Sequence, residues 1–278
     1  MLLINNNLSA LGAENNLNAT DAALAQSVSQ LSSGLQIQTA ADNPSGYAIA
    51  QNLQYEINGY SAATSNAQDA ISVLQTAQGA MNQQESILQQ MNTIANQAAN
   101  SQVQDNSTAL QADQQEFTAL QTQLNQIASS TTYAGVNLLS SSAGSSLLLT
   151  FQVGPQNSTA DQVGVTLNFT NATALGLTSV SLVGMTNAQG AIQTVQSAIN
   201  TLASYAAVVG AAQNQVQALA NNITVAQQNL TAAHANLVDV NVATATSQYT
   251  SLQILEQSGV SVLAQAQQLP QLALKLIP

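Results

Sequence analysis

The sequence predicts a mainly α-helical protein, built from long heptad-patterned helices in a coiled-coil-like bundle with a small β-hairpin insert. Three observations lead to this fold class. Apolar residues recur at alternating steps of three and four over most of the chain, which is typical of helices that pack lengthwise. This spacing gives way to a two-residue alternation only in mid-chain. Aromatic residues make up 3% of the chain and tryptophan is absent, which favours thin seams of Ala and Leu over a thick globular core.

The first and last helices are expected to pair with each other. The N-terminal series contains Leu17, Leu24, Val28, Leu31 and Leu35. The C-terminal series, which Glu256 interrupts, contains Ala245, Tyr249, Leu252, Gly259, Leu263 and Ala266. Each helix has only a narrow apolar stripe that it cannot bury alone, so the two ends of the chain are predicted to meet in one layer.

Three further series predict the core of a helical bundle. They run from Ala67 to Ala98, from Leu110 to Ile127 and from Ile192 to Leu237. Asp113 falls on the apolar stripe of the second series, and His234 falls on that of the third. We expect His234 to be packed or hydrogen-bonded rather than to bind a metal, because no second type of ligand accompanies it.

Mid-chain residues predict the hairpin, which we place at about residues 147–183. The stretches "LLLTFQVG" and "VGVTLNF" read as two strands, because residues such as Val163, Val165 and Leu167 alternate as in a half-buried strand. An earlier boundary is marked by "ADNPSG", where Asp42 or Asn43 is the expected N-cap of a helix and Pro44 lies in its first turn.

The composition excludes several classes of function. The chain has no cysteine, no arginine, one histidine and one lysine, Lys275, and its formal net charge is −11 at pH 7. Such a chain cannot replace the counterions of nucleic acid, and it lacks the side chains of most metal and phosphate sites. We therefore expect no enzyme activity, no cofactor, no metal and no nucleic-acid partner. No apolar run is long enough to span a membrane, and the N-terminus does not read as a cleavable signal peptide.

Two long motifs resemble the terminal signatures of the bacterial flagellin family. "LSSGLQIQTAADNPSGYAIA" at residues 31–50 is similar to the N-terminal signature, and "QILEQSGVSVLAQAQQLPQLAL" at residues 253–274 is similar to the C-terminal one. Between them, "STTYAGVNLL", "FQVGPQNSTADQVGVTL" and "VVGAAQNQV" resemble further family elements in the same order. The resemblance thus covers essentially the whole chain.

The resemblance implies an extracellular subunit of the flagellar filament, in a short form without additional outer domains. Residues 1–42 and 238–278 would form the inner (D0-like) layer, and residues 43–237 would form the outer (D1-like) rod. The implied partners are other copies of the chain, the flagellar type III export apparatus, an export chaperone, the filament cap and the hook-associated junction proteins. Export would proceed without cleavage of a signal peptide, and the ends would stay unpaired until subunits assemble.

Site residues follow from the heptads and from the resemblance. The expected self-assembly residues are Leu17, Leu24, Val28, Leu31, Leu35, Tyr249, Leu252, Leu263, Ala266 and Leu269. The motif that an innate immune receptor recognises in the family matches at Leu88 and Glu116, but Gln90 replaces its arginine, so we expect weak receptor binding. Possible O-glycosylation sites are Ser141, Ser142, Ser158 and Thr159.

Glutamine replaces arginine at several positions where the family usually has the basic residue. These positions are Gln36, Gln90, Gln126 and Gln215. Near pH 2 the carboxylates would be mostly protonated and the subunit would have a charge of only about +3. One hypothesis is therefore an exterior adapted to acid. The rival hypotheses are a neutral-pH filament that tolerates mild repulsion, and masking of the surface by glycans.

Two other functions compete with that of a filament subunit. A hook–filament junction protein has similar ends, but the "LAQAQQLPQ" tail and the "QVG" hairpin favour flagellin. A type III secreted translocator or adhesin would insert amphipathic helices into a host membrane. The chain lacks a long apolar hairpin and the basic residues that bind anionic lipid, so we expect no membrane partner.

Overall fold

The computed structural model describes residues 7–101, 107–140 and 146–275. Its helices are α1 (Leu8–Ser33), α2 (Pro44–Ser101), α3 (Ser107–Ser130), α4 (Met185–Val238) and α5 (Val242–Lys275). Two short strands, β1 (Thr132–Tyr133) and β2 (Val136–Asn137), follow α3 and pair with each other, and β3 (Ser146–Gln152) pairs with β4 (Gln162–Asn168). The predicted fold class, with long helices and a small hairpin, is confirmed.

The chain divides into two compact units. The terminal unit consists of Met1–Ile57 and Asn229–Pro278, and the central unit is Asn58–Gln228. Helices α2 and α4 contribute residues to both units. The terminal unit contains α1 and α5, and the central unit contains α3 and all four strands.

The core of the central unit follows the predicted heptads of α2. Every position of the series from Ala67 to Ala98 is buried, including the polar Gln84, which is 0% exposed. Its Nε2 donates to the carbonyl oxygens of Leu124, at 3.4 Å, and of Thr170, at 3.3 Å. Because a buried amide needs hydrogen-bond partners, Gln84 joins three segments of the unit at a single register.

Asp113 and His234 are less buried than their heptad positions suggest. Both side chains are partly exposed, although Leu110 and Phe117 on either side of Asp113 are buried. Asp113 thus lies at the edge of the apolar stripe rather than inside it. A carboxylate at the edge of the stripe keeps its hydration, whereas full burial without a cation would be costly.

The hairpin has the alternation that its sequence predicted. Val163, Val165 and Leu167 of β4 are buried, and they pair with Phe151, Leu149 and Leu147 of β3 in an antiparallel register. Strand β4 ends at Asn168, so residues 169–183, which the sequence analysis grouped with the hairpin, form irregular chain.

Uncharged side chains fix this irregular chain to α3. The amide nitrogen of Leu182 donates to Gln114 Oε1 at 2.7 Å, and that of Ala172 donates to Asn125 Oδ1 at 2.8 Å. Between them, Gln121 Nε2 donates to the carbonyl of Leu177 at 2.6 Å. None of these three contacts involves a group that titrates, so we expect them to persist over a wide range of pH.

The loop of the hairpin lies against a glycine in α2. A Cβ on Gly59 would come within 2.6 Å of Pro155 Cβ, whereas a Cβ on Gly79 of the same helix meets nothing within 4 Å. We expect Gly59→Ala to destabilise the central unit by about 1–3 kcal/mol through overpacking. The same change at Gly79 should stabilise the central unit by about 0.5–1 kcal/mol, because alanine lowers the conformational entropy of the unfolded chain.

Urea unfolding of the two variants, followed by circular dichroism, measures this difference. Equal effects of the same sign at Gly59 and Gly79 would show that the hairpin loop does not depend on the close approach to α2.

Candidate self-assembly surface

Specific residues set both ends of α1 and the start of α5. The side chain of Asn7 accepts a hydrogen bond from Ala10 N at 3.1 Å and so caps the start of α1. Gly34 ends this helix with a φ of +76°, a left-handed conformation that favours glycine. Asn241 caps α5, since its Oδ1 accepts from Thr244 N at 3.3 Å.

The two helices pack side by side and run antiparallel. Asn7 Nδ2, at the start of α1, donates to the carbonyl of Ala266 near the end of α5 at 2.7 Å. Leu17 lies against Gly259, where an added Cβ would be 3.2 Å from Leu17 Cδ1. At the other end, Leu35 forms an antiparallel bridge with Asp239. The expected pairing of the N- and C-terminal helices is confirmed.

The least exposed residues of each helix form a heptad series, which we call the seam. In α1 these residues are Ala10, Ala13, Leu17, Thr20, Leu24, Ser27 and Leu31. In α5 they are Ala245, Tyr249, Leu252, Glu256, Gly259, Leu263 and Ala266. The predicted α5 series thus coincides with the seam, and Glu256 occupies a seam position as well.

The α1 series needs one correction. Val28 is 47% exposed and lies off the seam, and its place is taken by Ser27, which is 4% exposed. Steps of three and four from Leu24 lead equally well to either residue, and only the position of α5 decides between them. Leu35 lies beyond the end of α1, and the side chain of Leu269 is outside the described residues.

A second group of apolar side chains on these helices points away from the seam. We call this group the outer apolar set, and its members are Leu8, Leu11, Val28, Val242, Ile254, Leu255, Val260 and Val262. All are exposed, and Ile254 is 62% exposed. A helix that is apolar on several sides is normally buried in a larger assembly. Most of this set lies outside the predicted heptad series, and the apolar residues at those positions were the signal available in the sequence.

The terminal unit buries few large side chains of its own. Among its described residues, the buried ones are Ser27, Ile37, Gly46, Ala50, Val238, Ala245 and Ala266. The central unit, by contrast, fully buries residues such as Phe117, Leu74 and Met81. Because apolar burial is the main favourable term in folding, the α1–α5 pair is expected to depend on further contacts.

The turn between α1 and α2 pairs with the residues that precede α5. Gln36 N donates to the carbonyl of Val238 at 2.6 Å, and Val240 N donates to the carbonyl of Gly34 at 2.8 Å. Ile37 is buried beneath the turn, and a Cβ on Gly46 would lie 2.7 Å from Ile37 Cδ1. This close approach explains why the first turn of α2 contains a glycine.

Asp42 and Asn43 have different roles at this boundary. Asn43 is the N-cap of α2, because its Oδ1 accepts from Gly46 N at 2.9 Å. Asp42 instead organises the turn itself. Hydrogen bonds from the backbone of Thr39 and then of Gln38 lower the pKa of the Asp42 carboxyl below its ordinary value of 3.8, and the Thr39 hydroxyl adds to this effect.

A polar groove of about 320 Å³ lies between α1 and the start of α5. Its lining includes the side chains of Gln26, Gln30, Gln36, Asn241 and Gln248, and none of its lining residues is charged. The groove contains Gln36, one of the four glutamines at positions where the family that this sequence resembles usually has arginine. The amide side chains therefore keep this surface polar without adding positive charge.

The receptor-like motif is only partly accessible. Gln90 and Glu116 are exposed, but Leu88 is 0% exposed in the core of the central unit, so the prediction that it contacts a receptor is wrong. Its position on a heptad could have indicated burial. Of the possible glycosylation sites, Ser158 and Thr159 are exposed in the hairpin loop, while Ser141 and Ser142 lie outside the described residues.

The described part of the chain has neither a metal-binding cluster nor a membrane-spanning helix. Within residues 7–101, 107–140 and 146–275, His, Asp and Glu side chains form no group that could hold a metal ion. Over the same ranges, no helix combines the length and the hydropathy that crossing a bilayer requires.

Comparison with known proteins identifies the family. The bacterial flagellin N-terminal helical region matches residues 4–143, and the bacterial flagellin C-terminal helical region matches residues 192–277. Polar flagellin F of Vibrio parahaemolyticus is 40% identical over 58% of this chain and 42% of its own length. Flagellin of Bacillus subtilis is 35% identical over 63% of this chain and 59% of its own length.

A solved structure gives a further match, and the lengths differ among the relatives. The crystal structure of Bacillus cereus flagellin matches 61% of this chain and 94% of that structure, with a TM-score of 0.48 and 26% identity. The chain spans between 42% and 59% of the lengths of the first curated relatives that it matches. Since the two family regions together cover most of the chain, this protein belongs to the bacterial flagellin family.

Proposed function

We propose that this protein is a structural subunit of the bacterial flagellar filament, which polymerises into a helical tube and serves as a propeller for swimming. The observation that supports this function best is the outer apolar set on the α1–α5 pair. Other copies of the chain could bury these side chains, in the way that an open helical filament repeats one contact between identical subunits. Membership of a family of structural filament proteins supports the same function, and we propose no catalytic role.

The proposal also assigns residues to the inner and outer layers of the filament. Residues 1–42 and 238–278 would form the inner layer, whose helices order when neighbouring subunits bury the outer apolar set. Residues 43–237 would form the outer rod, whose core is already buried within one chain. Switching between filament shapes would then require small sliding movements at the contacts between rods.

The proposed location is the outside of the bacterial cell. The subunit would leave through the flagellar type III export apparatus with the help of an export chaperone, without cleavage of a signal peptide. It would add to the filament beneath the cap and above the hook-associated junction proteins. The low aromatic content and the absence of cysteine in the sequence are compatible with export as an unfolded chain.

Sedimentation and electron microscopy of the purified chain test the proposed function. We expect long tubes that pellet at high speed and that shorten when the outer apolar set is made polar. A chain that assembles only on preformed hooks would instead favour a junction protein. A chain that stays monomeric and releases dye from lipid vesicles would favour the translocator.

We also propose that the protein activates the innate flagellin receptor weakly. Gln90 is exposed on α2, and its amide cannot replace the bidentate charged contact of an arginine. Restoring the basic residue with Gln90→Arg should raise signalling by the monomer about tenfold, which corresponds to one charge-assisted hydrogen bond. A receptor reporter assay measures this change, and equal potency of the two forms would refute the proposal.

A further inference from the structure

One carboxylate in the terminal unit accepts an unusual number of hydrogen bonds for an exposed group. Asp42 Oδ2 accepts from Thr39 N at 2.9 Å, from Gln38 N at 3.1 Å and from the Thr39 hydroxyl at 3.1 Å. Asp42 Oδ1 accepts from Gln26 Nε2 of α1 at 3.3 Å. The carboxylate therefore connects α1 to the turn and orders the backbone that leads into α2.

A second layer of contacts depends on the same turn. The side chain of Gln38 donates to Ser33 Oγ at 2.7 Å and accepts from Ser29 Oγ at 2.9 Å. Both serines lie in the last turns of α1. The position of Gln38 is in turn set by its backbone bond to Asp42, so a change at the carboxylate would reach the C-terminal end of α1.

We propose that Asp42 is an acid-sensitive latch, which keeps the turn between α1 and α2 closed while its carboxylate is ionised and releases the turn when the carboxylate takes up a proton. An ionised carboxylate only accepts hydrogen bonds, and all four of its contacts here come from donors. Protonation removes the negative charge that strengthens all four contacts, and a proton on Oδ1 would turn that oxygen into a donor facing the Nε2 donor of Gln26.

The hydrogen bonds of this turn depend on the protonation of Asp42 and not on that of a neighbouring group. From α1 the group that meets Asp42 is the uncharged Gln26, preceded on that helix by the carboxyl groups of Asp21 and Glu14. From α2 the nearest titratable group in sequence is Tyr47, and from the segment that pairs with the turn it is Asp239. None of these groups, and no basic side chain, is among the four hydrogen-bond donors to Asp42.

The sign of the pH dependence follows from the direction of the shift. The pKa of Asp42 is lowered in the folded chain relative to its ordinary value of 3.8. A group with a lowered pKa stabilises the fold at all pH values above its ordinary pKa, and this stabilisation is lost as the pH falls through the lower folded pKa. The latch should therefore stay closed through the range in which ordinary carboxylates become neutral, and it should open only below that range.

Hydrogen–deuterium exchange of the full-length chain from pH 6 to pH 1.5 tests the latch. The peptide that covers residues 35–47 reports on the turn, and the exchange is corrected for the intrinsic rate at each pH. We expect strong protection at pH values above 3.8 and an approximately tenfold loss as the pH falls through the lowered pKa of Asp42, because local opening sets the exchange rate. The variant Asp42→Asn mimics the protonated group, so it should show the same reduced protection of this peptide already at pH 6, with no further step at lower pH.

A matched control separates the latch from a general loss of negative charge. Asp239→Asn removes one carboxylate from the paired segment and leaves the four hydrogen bonds of Asp42 intact, so it should keep the wild-type step. A step that persists in Asp42→Asn, or an unprotected turn in the wild-type chain at pH 6, would overturn the proposal. Electron microscopy of the same samples reports separately on polymerisation, so the failure of the proposed function would be seen independently.

Discussion

Leu24→Asp should abolish polymerisation of this protein while its central unit stays folded. Leu24 lies on the seam of α1, where its half-buried side chain faces α5. A carboxylate at this position would lose hydration without gaining a cation, since Lys275 is the only Lys or Arg in the sequence. A loss of about 3 kcal/mol per subunit would raise the critical concentration for assembly more than a hundredfold. Sedimentation at a series of protein concentrations measures this quantity.

The control for this variant introduces the same charge elsewhere on α1. Asn18 is exposed and lies one residue beyond the seam position of Leu17. Asn18→Asp should assemble at a critical concentration close to that of the wild-type chain. Thermal unfolding of the central unit should be unchanged in both variants, because Phe117 and its neighbours lie in a separate core. Normal filaments from Leu24→Asp would show that the α1–α5 seam is not needed for assembly.

Val28→Asp distinguishes the seam from the outer apolar set. Val28 is 47% exposed and belongs to the outer set, so its replacement leaves the contact between α1 and α5 untouched. If neighbouring subunits bury this set, the variant should also assemble poorly. If it assembles like the wild-type chain, Val28 faces water in the filament, and its place in the predicted self-assembly residues is wrong.

Filaments of this protein should remain intact at pH 2.5. The positive groups of the subunit are Lys275, His234 and the α-amino group. Once the carboxylates are protonated, its charge would therefore be only about +3, and neighbouring subunits would repel each other weakly. The contacts of Gln114, Gln121 and Asn125 with the irregular chain contain no titratable group. Turbidity and electron microscopy at pH 2.5 and pH 8 measure filament integrity, and disassembly at the acid value would contradict acid adaptation.

A variant with restored arginines gives the opposite charge balance on the same fold. Gln36, Gln90, Gln126 and Gln215 are all exposed, so their replacement by arginine requires no repacking. At pH 8 the four substitutions reduce the negative charge and should leave assembly intact. At pH 2.5 they raise the charge to about +7, and the filaments should come apart. Equal acid stability of both forms would show that charge does not limit the filament, and would favour a different account of the missing arginines.

Much of the fold could be predicted from local sequence patterns, because its elements have clear periods. The alternation of Val163, Val165 and Leu167 predicted which face of β4 is buried, and the register with β3 confirms it. The heptads from Ala67 to Ala98 predicted a buried stripe on α2, and every position is buried. These patterns succeed because a helix or strand with one apolar face has one way to remove that face from water.

The candidate site was less predictable, since sequence spacing does not reveal which neighbour covers a residue. Val28 and Ser27 fit the heptad equally well, and the position of α5 places the serine in the seam. Leu88 matches a recognition motif, yet the packing of α2 buries it completely. Asp42 and Asn43 were equal candidates for the cap of α2, and the geometry of the turn gives the cap to Asn43.

The sequence by itself determined the long helices, the hairpin, the pairing of the two ends and the near absence of positive charge, because period and composition are local properties of the chain. Only the tertiary structure decided that Asp42 organises a turn and that an outer apolar set remains exposed beside the seam. The physical reason is that hydrogen-bond partners depend on the geometry of a turn, and burial depends on residues distant in sequence. A side chain shows its role only when the surface opposite it is known.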